Sequence, residues 1–144
     1  MSDEGLGPIH IDHIGIAAHT LEQGSAFWGL LGLVSEGEDE VNSKQGVTTR
    51  FFALAVSESK PPMLEILEPT SDDTPIGRFL AKRGPGIQQI CLRVPDLVAM
   101  LEHLKANGIR LIDESPRSGT QGASIAFVHP KSTGGVLVEL TQRP

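Results

Sequence analysis

Hydrophobic and polar positions alternate along this chain in short runs and give way at two places to helical spacing. Ile11–Ala17 reads I-D-H-I-G-I-A, and Ile87–Arg93 reads I-Q-Q-I-C-L-R. Both are apolar stretches of strand length with alternation. Each ends just before a helix start signal. Thr20 can cap the first helix, with Gln23 three residues on completing a capping box, and Asp96 can cap the second. The first predicted helix carries Leu21, Phe27, Trp28 and Leu31 on one side and stops at Gly32. The second carries Leu97, Met100, Leu101 and Leu104 and stops at Gly108. A glycine just past a helix end suits the left-handed conformation that closes it.

The spacing repeats. His13 to Gln89, Thr20 to Asp96 and Gly32 to Gly108 are each 76 residues apart. Strand-like runs broken by turn residues follow each helix: Leu33–Val41, Val47–Val56 and Met63–Glu68 in the first half, and Ile109–Asp113, Ala123–His129 and Val136–Thr141 in the second. Each half therefore reads βαβββ, a period that marks an internal repeat. Residues 9–69 form the first module and 87–142 the second. The connector, 70–86, carries a short helix that starts at Thr74-Pro75, since proline suits the first helical position. It presents Ile76, Phe79 and Leu80 and ends at Gly84-Pro85-Gly86. The expected fold class is α+β, built from tandem βαβββ modules within one domain spanning 1–144.

The last strands match as well. Leu64-Glu65-Ile66-Leu67 lies over Val138-Glu139-Leu140-Thr141 at an offset of 74. Side chains in a strand alternate between faces. Glu65 therefore opposes Leu64 and Ile66, and Glu139 opposes Val138 and Leu140. In the same way His13 opposes Ile14 and Ile16, and Gln89 opposes Ile90 and Leu92. If the two halves curl into one trough, His13, Glu65, Gln89 and Glu139 converge on its floor, where Gly15 and Ala17 leave space for a ligand. A carboxylate between apolar neighbours on a central strand is costly unless neutralised. One divalent cation would neutralise both. Imidazole nitrogen with carboxylate and amide oxygens suits a borderline-hard ion such as Co²⁺, Mn²⁺, Ni²⁺ or Zn²⁺, with open positions for substrate.

Composition narrows the function classes. The 144 residues carry a formal charge of −6, which argues against nucleic acid or an anionic membrane as main partner. No apolar run approaches the roughly 20 residues that span a bilayer. The first residues, Met1-Ser2-Asp3-Glu4-Gly5, lack the basic start and apolar core of a signal peptide. The single cysteine, Cys91, allows no intramolecular disulfide. These readings together point to a reducing cytoplasm.

Several stretches then resemble the methylmalonyl-CoA epimerase family, within the vicinal-oxygen-chelate superfamily that also includes glyoxalase I. They are D-H-I-G-I-A around His13, Gln45-Gly46-Val47, L-E-I-L-E-P (64–69), D-T-P-I (73–76), F-L-A-K-R-G-P-G-I (79–87) and H-P-K-S-T-G-G-V-L-V-E-L (129–140). The resemblance runs from about Ile9 to Gln142. It implies a U-shaped mixed eight-stranded sheet, usually in a homodimer, around a metal held at positions matching His13, Glu65, Gln89 and Glu139. It implies epimerisation at C2 of methylmalonyl-CoA or a close 2-alkylmalonyl-CoA through an enolate, with Glu139 at the position of a ligand that also serves as a base.

Two positions depart from the family pattern. Gln88-Gln89 stands where His-His is usual; an amide oxygen can still ligate. Lys44 stands just before Gln-Gly-Val, where many relatives have Glu as a second base. As a base, lysine would need a pKa far below about 10.4; as a cation it could bind the substrate carboxylate. The loop with Lys131, Ser132 and Gly134 offers a further charge and glycine-rich backbone for the acyl-CoA. Arg117 and Gln121 lie in a polar loop, 115–122. Two alternatives stand beside epimerisation: a glyoxalase I-type lyase acting on a thiol adduct of a 2-oxoaldehyde, which Gln89 favours, and a metal-free small-molecule-binding protein, which both glutamates oppose.

Overall fold

A computed structural model of the chain describes residues 6–54 and 62–144. Its elements in chain order are β1 (His10–Ala17), α1 (Leu21–Leu30), β2 (Glu40–Asn42), β3 (Val47–Ala53), β4 (Met63–Pro69), α2 (Pro75–Arg83), β5 (Gly86–Arg93), α3 (Leu97–Ala106), β6 (Arg117–Ser118), β7 (Ser124–Val128) and β8 (Val138–Gln142). The βαβββ order therefore occurs twice, with α2 between the copies. The backbone forms two compact units: residues 13–88, and residues 89–144 together with the segment up to Asp12. Among the described residues no helix is long and apolar enough to cross a membrane.

In the unit of residues 13–88 the strand order is β2-β3-β4-β1. The pair β1–β4 is parallel and the others are antiparallel. Helix α1 begins where the β1 run ends, because two side chains satisfy its first amides. Thr20 Oγ1 accepts from Gln23 N at 3.1 Å, and Glu68 Oε1, reaching from the end of β4, accepts from Leu21 N at 2.9 Å. The helix lies over Ile14, Ile16, Phe52, Leu64 and Ile66. Gly24 lets it approach, since a Cβ there would stand 2.5 Å from Ile66 Cγ2. Burying a side chain such as Ile66 stabilises the fold by about 1.5–3 kcal/mol. Helix α2 packs Ile76 and Leu80 on Ala17, Val47 and Leu67, which alternate with the α1-facing residues and so lie on the other face.

The unit of residues 89–144 repeats this plan in the order β5-β8-β7-β6, with β5 and β8 parallel. Asp96 Oδ1 accepts from Ala99 N, and Gln142 Oε1, from the end of β8, accepts from Leu97 N at 2.8 Å. Gln142 thus does for α3 what Glu68 does for α1. The helix buries Leu97, Met100 and Leu101 against Ala126, Val128 and Leu140. Both helices stop at the predicted glycines, Gly32 (φ 93°) and Gly108 (φ 76°).

The structure corrects the strand that follows each helix. In place of Leu33–Val41, β2 comprises Glu40–Asn42 alone. Ser35 makes an isolated bridge to Phe52, and the chain then turns through Gly37 at φ 71°, which ends the ladder before it can lengthen. In place of Ile109–Asp113, a single bridge joins Leu111 to Val128. Ile112 N and Asp113 N both donate to Phe127 O, so two residues oppose one in a bulge, and Asp113 Oδ2 accepts from Phe127 N. Arg117–Ser118, inside the stretch read as polar loop, forms the outer strand β6. Residues 55 and 56 of the predicted Val47–Val56 strand lie outside the described residues. The helical face predicted for α1 is also narrower: Leu21 and Trp28 pack inward, while Phe27 and Leu31 are exposed.

Candidate active site

In the unit of residues 13–88, β1 and β4 place His13 and Glu65 on the face opposite α1, with Gly15 directly across from Glu65. Both side chains are buried, and His13 Nδ1 lies 3.1 Å from Glu65 Oε2. Phe51, also buried, pairs with Glu65 from β3. Thr49 occupies the next position on that face; its hydroxyl is buried and has no hydrogen-bond partner among the described residues. Ala17 does not leave open space, because Ile76 and Leu80 of α2 cover it.

In the unit of residues 89–144, β5 and β8 place Gln89, Cys91 and Glu139 on the face opposite α3, with Cys91 directly across from Glu139. All three are buried. Gln89 Nε2 donates to Glu139 Oε1. Phe127 pairs with Glu139 from β7. The two units therefore repeat one arrangement: a carboxylate on the last strand, a polar partner on the first strand of its repeat, and a phenylalanine across the neighbouring pair. Phe51 and Phe127 stand 76 residues apart, the offset that also relates His13 to Gln89.

Within its own unit, Lys44 does not share the strand level of Glu65. Lys44 lies in the exposed turn between β2 and β3, closed by bonds from Gln45 N to Asn42 Oδ1 and from Gly46 N to Asn42 O. That turn lies beyond Val47, which pairs with Pro69, whereas Phe51 pairs with Glu65. Four residues of strand separate the two levels, about 13 Å.

Lys131 and Ser132 lie in a 3₁₀ turn, Pro130–Ser132, just before β8. Lys131 is exposed, and its backbone N donates to His129 Nδ1. Desolvation first, then the nearby charges of Arg110 and Lys131, hold the His129 imidazole below its ordinary pKa. The Ser132 hydroxyl accepts from Arg110 N at 2.9 Å, which ties the loop to the segment after α3. Gly134 and Gly135 are left-handed at φ 78° and 101°, and Gly135 N donates to Pro130 O.

Further residues sit on the same face of the second unit: Thr141 and Arg93, which the sequence does not single out, and Arg117 of the polar stretch 115–122. Thr141, buried, follows Glu139 by two and gives its hydroxyl to Ser124 O. Arg93 pairs with Thr141. Arg117 stands over the Phe127 ring at 5.4 Å and binds Asp113 at 3.2 Å. The period-two pattern of β5 puts Arg93 on the face of Gln89, at the last position of the strand.

Comparison with known proteins agrees with this architecture. Residues 12–127 match the model of the glyoxalase/bleomycin resistance protein/dioxygenase superfamily. The chain is 37% identical over 142 residues to the mitochondrial methylmalonyl-CoA epimerase of Dictyostelium discoideum, covering 96% of this chain and 80% of that one. It is 35% identical over 136 residues to the ethylmalonyl-CoA/methylmalonyl-CoA epimerase of Cereibacter sphaeroides, covering 92% and 96% respectively. A solved methylmalonyl-CoA epimerase in complex with methylmalonyl-CoA and NH₄⁺ superimposes with a TM-score of 0.88 at 35% identity, over 95% of this chain and 96% of that one. With two βαβββ copies, a repeat-matched set of buried polar residues and likeness of this extent, the chain belongs to the methylmalonyl-CoA epimerase family of the glyoxalase/bleomycin resistance protein/dioxygenase superfamily.

Proposed function

We propose that this chain is a metal-dependent epimerase that interconverts the C2 stereoisomers of methylmalonyl-CoA, or a close 2-alkylmalonyl-CoA, through an enolate. The observation that carries the reading is the repeated pair: a buried carboxylate with a buried polar partner, once as His13–Glu65 and once as Gln89–Glu139. In this reading the four side chains hold one divalent ion. The donor set fits: two carboxylates, an imidazole and an amide oxygen suit Co²⁺, with Zn²⁺, Ni²⁺ or Mn²⁺ as alternatives, and a cation offsets the cost of burying two carboxylates. When bound, the ion supplies Lewis-acid stabilisation of negative charge on the substrate's oxygens.

The chain's own residues do the proton work. The Glu139 carboxylate takes the proton from C2, a proton from water or from Lys44 reaches the opposite face of the enolate, and the Gln89 N–H on Oε1 fixes the orientation of the Glu139 carboxylate on its strand. Phe127, across from Glu139, walls one side of it with apolar surface. A poised carboxylate of this kind contributes about 10²–10⁴-fold to rate. Lys44, exposed on the turn between β2 and β3, is the second catalytic group of this reading, as a proton donor or as a cation for the substrate. Lys131 and the backbone at Gly134 meet the anionic acyl-CoA, while Ser132 holds their loop in place. The reading further places 1–144 as one domain, in a homodimer, in the cytoplasm.

The test starts from one C2 stereoisomer of methylmalonyl-CoA and resolves the two diastereomers by chromatography over time. Wild-type protein should equilibrate them, and Glu139→Gln should slow this by about 10²-fold or more. Equal rates for the two proteins would remove Glu139 from the chemistry.

A further inference from the structure

Arg93 is the unexplained group on the Glu139 face. It follows Gln89 and Cys91 at alternate positions on β5 and pairs with Thr141. Its side chain is only 17% exposed. Among the described residues its one polar contact is Asp12 Oδ1 at 3.7 Å, beyond hydrogen-bond range. Asp12 is instead gripped in a two-pronged contact by Arg143, at 3.0 Å and 2.7 Å. A mostly buried guanidinium whose donors lack a bonded acceptor is costly, and a planar anion relieves that cost with two parallel bonds.

The repeat sharpens the point. The counterparts of Arg93 and Thr141 in the first module are Ala17 and Leu67, at the same offsets of 76 and 74. There, Ile76 and Leu80 of α2 cover the face with apolar side chains. The second module places a cation where the first has a hydrophobic seal.

We propose that Arg93 binds the free carboxylate of the 2-alkylmalonyl group, an inference that rests on the function proposed above. Thr141 follows Glu139 by two residues, about 7 Å of strand, and Arg93 stands beside it. An arginine side chain spans a gap of that size. A malonyl group reacting at Glu139 therefore falls within its reach, whereas the coenzyme A phosphates lie at the far end of the pantetheine arm.

The experiment compares wild type, Arg93→Gln, Arg93→Lys and Arg143→Gln. C2 exchange kinetics are followed with methylmalonyl-CoA and with the methylmalonyl thioester of N-acetylcysteamine, which keeps the carboxylate and lacks the phosphates. Melting temperature is followed with added malonate or inorganic phosphate in chelator-treated protein. Arg93→Gln should raise KM about tenfold or more for both thioesters, and Arg93→Lys should recover part of it. Malonate should raise the melting temperature of wild type but not of Arg93→Gln, and Arg143→Gln should lower the melting temperature without that change in KM. A loss confined to the coenzyme A thioester would assign the anion to a phosphate and overturn the proposal, as would unchanged KM with an undiminished malonate response. If wild type exchanges neither thioester, the functional reading fails, and the malonate titration still decides whether Arg93 binds a dicarboxylate.

Discussion

Nδ1 of His13 lies 3.1 Å from Oε2 of Glu65, and each side chain is 4% exposed. A pair this buried is held by protein groups rather than by water, so removing one member takes a buried contact from the other. Glu65→Ala should therefore destabilise the metal-free protein by about 3–5 kcal/mol. Urea unfolding with and without chelator measures it. A loss under 1 kcal/mol would mean that solvent reaches His13.

Metal should stabilise the folded chain, because the buried set exists only there. At 100 times its dissociation constant an ion bound to the native state adds about 2.7 kcal/mol. Adding Co²⁺ to chelator-treated protein should raise the melting temperature, and Glu139→Gln should shrink the rise. Gln89→His should enlarge it if Gln89 ligates. No response to any divalent ion would contradict the ligand set.

Glu68 caps α1 and Gln142 caps α3 from equivalent strand ends. Each substitution to alanine should cost about 1 kcal/mol. Because the two caps serve different helices and share no partner, their effects should add within about 0.5 kcal/mol. A double variant measured by denaturant titration checks this, and strong coupling would break the equivalence of the modules.

Thr49 buries a hydroxyl that has no hydrogen-bond partner among the described residues. Valine has nearly the same shape without the hydroxyl. Thr49→Val should leave stability unchanged or raise it by up to about 1–3 kcal/mol, the cost of an unsatisfied buried polar group. Destabilisation on thermal unfolding would show that the hydroxyl has a partner.

On the surface, the Arg50 guanidinium beside Asp39 holds that carboxyl below its ordinary range through a two-pronged contact at 2.8 Å and 2.9 Å. A depressed carboxyl pKa gives stability that is present above the unfolded value, about 3.9, and lost as pH falls through the lower folded value. The exposed pair contributes about 0.2–1 kcal/mol. Arg50→Gln should cost that much at pH 7 and nothing at pH 2 in acid-unfolding curves.

Much of this was legible in the amino-acid sequence, for physical reasons. The helix starts at Thr20 and Asp96 and the stops at Gly32 and Gly108 depend on local hydrogen bonds and backbone sterics. The facing of His13, Glu65, Gln89 and Glu139 follows from period two within single strands. What escaped depends on partners distant in sequence. Whether Leu33–Val41 pairs fully is decided by the turn at Gly37 and by β3, and 109–113 is decided by Phe127 and its bulge. The cover that α2 lays over Ala17 could not be read from Ala17. Arg93 escapes because an arginine at a strand end usually reaches water, whereas here its side chain is mostly buried beside Asp12.

Proton NMR of deuterium uptake at C2 of methylmalonyl-CoA in D₂O, with added Co²⁺ or excess chelator, tests the central claim most directly. Fast exchange with Co²⁺, suppressed by chelator and by Glu139→Gln, is the predicted result. Folded protein that exchanges nothing with any of the four metals would contradict it.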